Sequence, residues 1–109
     1  MKLLSRIEEI ILLSIWKLGD DAYGITIREE VIKATGKEWL LGAIYAPLSR
    51  LRKNGYVKTV AGSPSPERGG RSKIYYSLTT EGKRALSEIQ HVNAQLWQGV
   101  PNLAVKKSA

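Results

Sequence analysis

The chain has 109 residues, of which 43% are apolar and 25% charged, and its net charge is +7. This size and composition predict one globular domain with its own core, and exclude disorder over most of the length. The chain has no cysteine and no apolar run of roughly 20 residues that could span a membrane. Charged residues interrupt its apolar start, which argues against a signal peptide. A cytoplasmic protein without disulfides is therefore expected.

A first helix is predicted from Ser5 to Leu18. Ser5 and Glu8 have the spacing of a capping box, in which two side chains satisfy each other's free backbone N–H groups. Apolar residues recur every three or four positions and spread beyond one face of the helix. A stripe this wide predicts contact on two sides, either with the domain core and another element or with a second subunit.

Two further helices follow. The second is predicted from Tyr23 or Gly24 to Thr35, before Gly36, and the third from Leu41 to Asn54, before Gly55. The helical period predicts an inward face on the third helix that comprises Leu41, Ile44, Leu48 and Leu51. The opposite face comprises Gly42, Ala46, Ser49, Arg50 and Lys53, with Tyr45 and Arg52 on the flank.

After the third helix, the helical spacing of apolar residues ends and strand-forming segments follow. Residues 56–60 and 73–78 are rich in β-branched and aromatic side chains and predict the two strands of a hairpin. The residues between them, Ala61 to Ser72, are rich in glycine and proline and predict a long loop. Tyr75 and Tyr76 face opposite sides of the sheet, so one of them is expected in the core.

The last helix is predicted to follow Thr79, a good N-cap, and to reach about Gln98. Its apolar seam has heptad spacing, as in helices that pair with a copy of themselves. The predicted dimer contacts are Leu86, Ile89, Asn93, Leu96 and Trp97. Two alternatives stay open at this point, because Asn93 can pair with its mate or face solvent, and Trp97 can pack in the dimer or bind a flat effector.

The positive charge is concentrated between Leu40 and Leu78, which holds seven basic residues and one acid. Three helices, a hairpin with a basic loop and a long helix follow one another as in a winged helix-turn-helix protein, whose recognition helix enters the major groove of DNA. The predicted fold is mainly α with a two-stranded β-hairpin. Residues 1–80 form the DNA-binding domain, 81–100 the C-terminal dimerisation helix and 101–109 a frayed tail.

Small residues on the third helix would let it approach base edges, and arginines in the loop suit phosphates and the narrow minor groove. For Tyr45, the position on the helix indicates a mixed role, in DNA contact and in capping the core. The predicted DNA-binding residues are Tyr23, Gly42, Tyr45, Ser49, Arg50, Lys53, Arg68, Arg71 and Lys73.

The chain resembles the PadR family of transcriptional regulators in several motifs. The matching residues are Tyr23-Gly24, Gly42-Ala43-Ile44-Tyr45, Gly55-Tyr56-Val57, Glu67 to Arg71, Tyr75 to Thr79 and Glu81-Gly82. The resemblance implies a dimeric DNA-binding repressor whose C-terminal helix carries the dimer contact, and some short relatives imply a small aromatic effector between the subunits. One departure is that Ala46 separates Tyr45 from Pro47, where many members have proline directly after the tyrosine.

The alternative hypothesis is a winged-helix protein-interaction module that does not bind specific DNA. An enzyme is not expected, because no serine, lysine or carboxylate pair forms a catalytic pattern. His91 is the single histidine and has no ligand partners at the right spacing, so neither a metal nor a cofactor is predicted.

Overall fold

The structure, a computed structural model, describes residues 3–62 and 73–105. In this part of the chain the elements are α1 (Arg6–Leu18), α2 (Gly24–Thr35), α3 (Leu41–Lys53), β1 (Val57–Ala61), β2 (Ile74–Leu78) and α4 (Thr80–Trp97). The predicted fold of helices, hairpin and C-terminal helix is confirmed, and each element lies within about one residue of its predicted bounds. A short 3-10 turn, Gly19–Asp21, connects α1 with α2 and was not predicted.

α1 begins with the capping box. The Glu8 N–H donates to the Ser5 hydroxyl at 3.2 Å, and the Ser5 N–H donates to the Glu8 carboxylate at 2.8 Å. Further along, the buried Ser14 donates its hydroxyl to the Ile10 carbonyl at 2.8 Å. The one buried polar side chain among the described residues is therefore satisfied within its own helix.

The core lies between α1, α2, α3 and the hairpin. Each element contributes apolar side chains that solvent does not reach, and such a side chain stabilises the fold by about 1.5–3 kcal/mol relative to an exposed one. The fully buried members include Ile11, Leu12, Ile27, Val31, Ile44, Leu48 and Leu51.

The predicted inward face of α3 needs one correction. Ile44, Leu48 and Leu51 are fully buried, whereas Leu41 is 38% exposed. Pro47, on the other side of this row, is buried. With 3.6 residues per turn, the covered face is therefore rotated towards Pro47 and away from Leu41.

The two strands pair antiparallel, with Val57 opposite Leu78 at the inner end and Ala61 opposite Ile74 at the outer end. Val57 and Leu78 are buried in the core. Tyr76 shares the face of Leu78 and packs against the core, as predicted for one of the two adjacent tyrosines.

The hairpin is also attached to the start of α2. Tyr23 forms an isolated β-bridge with Tyr75, and the Tyr76 N–H donates to the Ala22 carbonyl at 2.8 Å. This link fixes the hairpin beside the helix-turn-helix unit, and no pattern in the sequence predicts it.

α4 begins against the turn that ends α3. The Thr79 hydroxyl accepts a hydrogen bond from the Gly82 N–H at 3.1 Å and donates one to the Gly55 carbonyl at 2.6 Å. Gly82 lies so close to the Tyr56 carbonyl that a side chain would have no room. The first turn of α4 is thus held against the turn that follows α3.

α4 ends at Trp97, two residues before Gly99, which adopts a left-handed φ of 76° as helix-ending glycines do. Residues 100–105 continue without helix or strand. Among the residues that the structure describes, none of the helices combines the length and apolar character needed to cross a bilayer.

Candidate nucleic-acid interface

One row of α3 points away from the core and carries small side chains and one lysine. It comprises the exposed residues Gly42, Ala46, Ser49 and Lys53, and we call it the reading face. A Cβ added at Gly42 would meet no protein atom within 4 Å, so the fold does not require glycine there. The reading face is therefore open to close approach by a partner.

Arg50 lies on the flank of α3 that faces α1. Its Nε is 3.7 Å from a carboxylate oxygen of Glu8, whose other oxygen accepts the Ser5 N–H. The Arg50 side chain is 54% exposed, and a solvent-screened ion pair of this kind contributes at most about 1 kcal/mol to folding. The contact orients Arg50 more than it stabilises the protein, and no sequence pattern predicts this role for Glu8.

Tyr45 lies on the opposite flank, towards α2 and the sheet. Its hydroxyl packs against Gly24 at the start of α2, and the ring remains partly exposed. Burial raises the pKa of the neighbouring Tyr76 phenol, the Tyr45 phenol raises it further, and Arg52 partly offsets both effects. Tyr45 therefore both contacts the start of α2 and presents a ring edge beside the reading face.

Tyr23, Tyr75 and Lys73 form a cluster that we call the wing base. The rings of Tyr23 and Tyr75 meet edge to face with centroids 5.6 Å apart. The Lys73 ammonium lies 4.1 Å from the centroid of the Tyr23 ring, within cation–π range. Gly62 packs against the Tyr75 ring and donates its N–H to the Lys73 carbonyl at 2.7 Å, which joins the two ends of the loop.

The structure thus brings the predicted DNA-binding residues together in three groups. The reading face holds Gly42, Ser49 and Lys53. Its two flanks hold Arg50 and Tyr45, and the wing base holds Tyr23 and Lys73. The predicted contacts Arg68 and Arg71 lie outside the described residues and stay predictions from sequence.

A residue absent from the predicted site, Leu40, directly precedes α3. It occupies the N-cap position, where its side chain makes no capping hydrogen bond, and it is 81% exposed. Two of the contacts that hold the preceding loop fix Trp39. Arg28 Nε donates to the Trp39 carbonyl at 2.5 Å, and the Trp39 indole donates to the Thr35 hydroxyl at 2.9 Å. A leucine at a cap position is the one sequence feature that could have identified this site.

The predicted dimer residues of α4 fall into two groups. Ile89 is 7% exposed, and Leu86 packs against the core of its own chain. The Asn93 amide donates to the Glu9 carboxylate on α1 at 3.2 Å, so this side chain already has a partner within the chain. Leu96 and Trp97, by contrast, are 68% and 63% exposed.

A groove of about 500 Å³ lies between α1 and α4. Leu13 and the exposed Trp16 line it on α1, and Leu86 and Asn93 line it on α4. Lys83 extends over the Trp16 ring, 5.2 Å from its centroid. The outer side of the wide apolar stripe of α1 therefore borders this groove, while the inner side packs in the core.

Within residues 3–62 and 73–105, no three histidine or carboxylate side chains come together as a metal site would require. The groups that can make chemical contacts at the reading face are instead a hydroxyl, a lysine ammonium and flanking guanidinium and phenol groups. These groups bind phosphates and base edges by hydrogen bonding.

The sequence matches the transcriptional regulator PadR-like family over residues 12–88. No curated protein matches the chain. Among solved structures, a PadR-like transcriptional regulator from Bacillus cereus is 24% identical, with 93% of each chain covered and a TM-score of 0.72.

Two further solved structures are similar. A Streptococcus transcriptional regulator is 27% identical, with 84% of this chain and 85% of the other covered and a TM-score of 0.69. A PadR family regulator from Clostridium difficile is 24% identical, with 86% and 88% covered and a TM-score of 0.63. All three share the winged-helix fold and the C-terminal helix described above.

Proposed function

The chain belongs to the PadR-like family of transcriptional regulators, and from this premise we propose that it is a sequence-specific DNA-binding repressor. It acts in the cytoplasm as a homodimer on a pseudo-palindromic operator, and it has no enzymatic activity. DNA binding is the part of this proposal that the geometry supports most directly.

The reading face of α3 carries the proposal. In helix-turn-helix proteins the second helix of the pair lies in the major groove. Gly42 and Ala46 let the helix backbone approach the base edges closely. Ser49 supplies a hydroxyl that can bond to several bases, and Lys53 supplies a cation suited to guanine or to a phosphate.

The flanks and the wing base supply affinity. Arg50, oriented by Glu8, binds a phosphate beside the groove, and Tyr45 contacts the DNA on the other flank. Tyr23 and Lys73 bind the backbone where the hairpin approaches it, together with Arg68 and Arg71 of the loop. Cations in these positions release counterions from DNA, so binding falls steeply as the salt concentration rises.

The homodimer is proposed to form through the end of α4. Leu96 and Trp97 are exposed there, beyond the part of the helix that packs on its own core. A pair of such apolar residues is an anchor typical of subunit interfaces. Dimerisation would place two recognition helices in successive major grooves, with half-sites about 10 bp or a multiple of that distance apart.

Selection of bound sequences from a random duplex pool tests the proposal. We expect an inverted repeat that binds at least about 1,000-fold more tightly than random duplex. Its half-site spacing would report the dimer in the same experiment. Weak binding without sequence preference, with a stoichiometric protein partner in pull-downs, would instead favour the protein-interaction module.

Lys53→Ala and Lys33→Ala form a matched pair for this test. Both lysines are exposed, but Lys33 lies in the last turn of α2 and is not part of the reading face. We expect Lys53→Ala to weaken binding to the selected duplex roughly tenfold and Lys33→Ala to leave it nearly unchanged. Equal effects of the two substitutions would contradict the role of the reading face.

We also propose that a small planar aromatic effector binds at the dimer interface beside Trp97, because this exposed indole offers a flat surface for stacking. Planar aromatic compounds should then quench tryptophan emission. Trp97→Ala should abolish the quenching, whereas Trp16→Phe, which removes another exposed indole, should retain it. Quenching that survives in Trp97→Ala would exclude this site.

A further inference from the structure

Two residues at the start of α3, two positions apart, have identities that folding does not explain. The first is Leu40, the most exposed large apolar side chain among the described residues. It stands at an N-cap, where serine, threonine, asparagine or aspartate would satisfy a free N–H and leucine cannot. Leu40 therefore exposes apolar surface and leaves the helix without a side-chain cap.

The second residue is Gly42. Within a helix, glycine costs stability relative to alanine because the unfolded chain gains freedom. The space around its Cα is empty, so no close packing in this chain offsets that cost. Two exposed residues that disfavour folding, both at the start of α3, indicate contact with a partner.

The backbone at Leu40 is held in place before any partner binds. Arg28 and Thr35 of α2 fix Trp39 through its carbonyl and its indole, and the Leu40 carbonyl accepts the Ala43 N–H at 2.9 Å. The backbone that carries the leucine side chain is thus ordered. Little backbone entropy is therefore lost when a partner covers this side chain.

The residue types on α3 limit which DNA bases this helix can recognise. Residues 40–53 contain no asparagine or glutamine, which pair with adenine, and no aspartate or glutamate, which pair with cytosine. Near the beginning of the helix only apolar and small side chains are exposed. In the major groove, the one apolar feature that distinguishes a base is the 5-methyl group of thymine.

We propose that Leu40 is a specificity-determining residue that contacts a thymine methyl group in each half-site, while Gly42 and Ala46 allow the approach. This inference rests on the proposed DNA-binding function, because the first residues of a recognition helix are those that meet base edges. It predicts that a thymine, and not merely an A·T pair, is required at one position of the half-site.

Replacement of thymine by deoxyuridine tests the inference, because it removes one methyl group and leaves the hydrogen-bonding pattern unchanged. The probe is the duplex selected from the random pool, synthesised with each thymine replaced in turn. We expect one position per half-site at which the substitution weakens binding about three- to fourfold, the effect of one buried carbon group.

Variants of Leu40 assign the effect to this residue. In Leu40→Ala, the thymine and deoxyuridine duplexes should bind equally well. Leu40→Ser should show the same loss of discrimination and also a higher urea midpoint, because serine caps the helix. Leu103→Ala, which truncates an exposed leucine beyond α4, should retain the wild-type discrimination.

The experimental outcomes distinguish failure of the Leu40 contact from failure of the proposed DNA-binding function. Failure to select any duplex would overturn both. A specific duplex that tolerates deoxyuridine at every thymine, or a methyl effect that persists in Leu40→Ala, would overturn the Leu40 contact alone and leave the DNA-binding function in place.

Discussion

Glycine occupies the first turn of both α3 and α4, and the two residues have opposite surroundings. Gly42 faces open space, whereas the Cα of Gly82 lies against the Tyr56 carbonyl. A methyl group added at Gly82 must push α4 away from the turn after α3. The same methyl group at Gly42 meets nothing in the protein.

We therefore expect Gly82→Ala to lower the free energy of unfolding by about 1–3 kcal/mol, as overpacking does. Gly42→Ala is its control and should raise the free energy of unfolding by up to about 1 kcal/mol through helix propensity. Urea unfolding of both variants checks the pair. Equal destabilisation would show that Gly82 is not a point of close packing.

The phenol of Tyr76 makes stability depend on pH. Its pKa is raised above the ordinary value of 10.0, first by burial and then by the Tyr45 phenol. The unfolded chain therefore loses this proton at lower pH than the folded chain does. The linked stability is fully present below pH 10 and is lost as the pH rises through the raised pKa.

Tyr76→Phe keeps the ring and removes the titrating group. Between about pH 9 and about pH 11, its free energy of unfolding should fall less than that of the wild type. Urea titrations at several pH values measure the two slopes. Parallel curves for the two proteins would contradict a raised pKa.

At the scale of single residues, and with the exception of Leu41, the sequence predicted which side of α3 a residue occupies but not its partner. Lys53 and Ser49 were assigned correctly to the exposed side because helical spacing is local. The pairing of Asn93 with Glu9 joins residues 84 positions apart and depends on the angle between α1 and α4. No local pattern encodes that angle.

Among the elements, helix bounds were predictable wherever a side chain or glycine marks the end. The capping box at Ser5, the threonine at Thr79 and the glycine at Gly36 each mark a helix end in the structure. The attachment of Tyr23 to β2 was not predictable, because a single bridge leaves no periodic pattern. The start of α3 also lacks a capping side chain, and its prediction relied on helical spacing alone.

The capping box makes a prediction for α1. Ser5→Ala removes the hydroxyl that accepts the Glu8 N–H, and it should lower the free energy of unfolding by about 1 kcal/mol. Ser87→Ala, at an exposed position inside α4, should have no destabilising effect because alanine favours helix interiors. Urea unfolding of the two variants measures the difference. Similar free energies of unfolding for both would contradict a stabilising role of the capping box.

For the whole molecule, the division into residues 1–80, 81–100 and 101–109 stays a prediction. The structure joins the first two parts closely, since Ile89 is buried and Leu86 packs on the core. The predicted heptad seam in α4 therefore has two parts. Leu86 and Ile89 are covered by the chain itself, whereas Leu96 and Trp97 are exposed. Sequence spacing reports an apolar stripe but not which surface covers it.

The exposed end of α4 gives a prediction about assembly. Trp97→Glu places a charge in the proposed subunit interface and should shift the protein towards monomer, because an unpaired buried charge is costly. Ile25→Glu changes a comparably exposed apolar residue on α2 and should leave assembly unchanged. Sedimentation measurements decide between them, and two identical profiles would place the interface elsewhere.

The hydrogen bonds of Thr79 have a consequence for the geometry of the proposed dimer on DNA. This residue starts α4 and, through the Gly55 carbonyl, also holds the end of α3. α4 has 18 residues and is thus about 27 Å long, so a tilt of about 5° at its base displaces its far end by about 2 Å. In the proposed dimer, joined at that far end, a small rearrangement around Trp97 would tilt the rest of each subunit. It would thereby change the separation of the two α3 helices and hence the half-site spacing that the dimer fits.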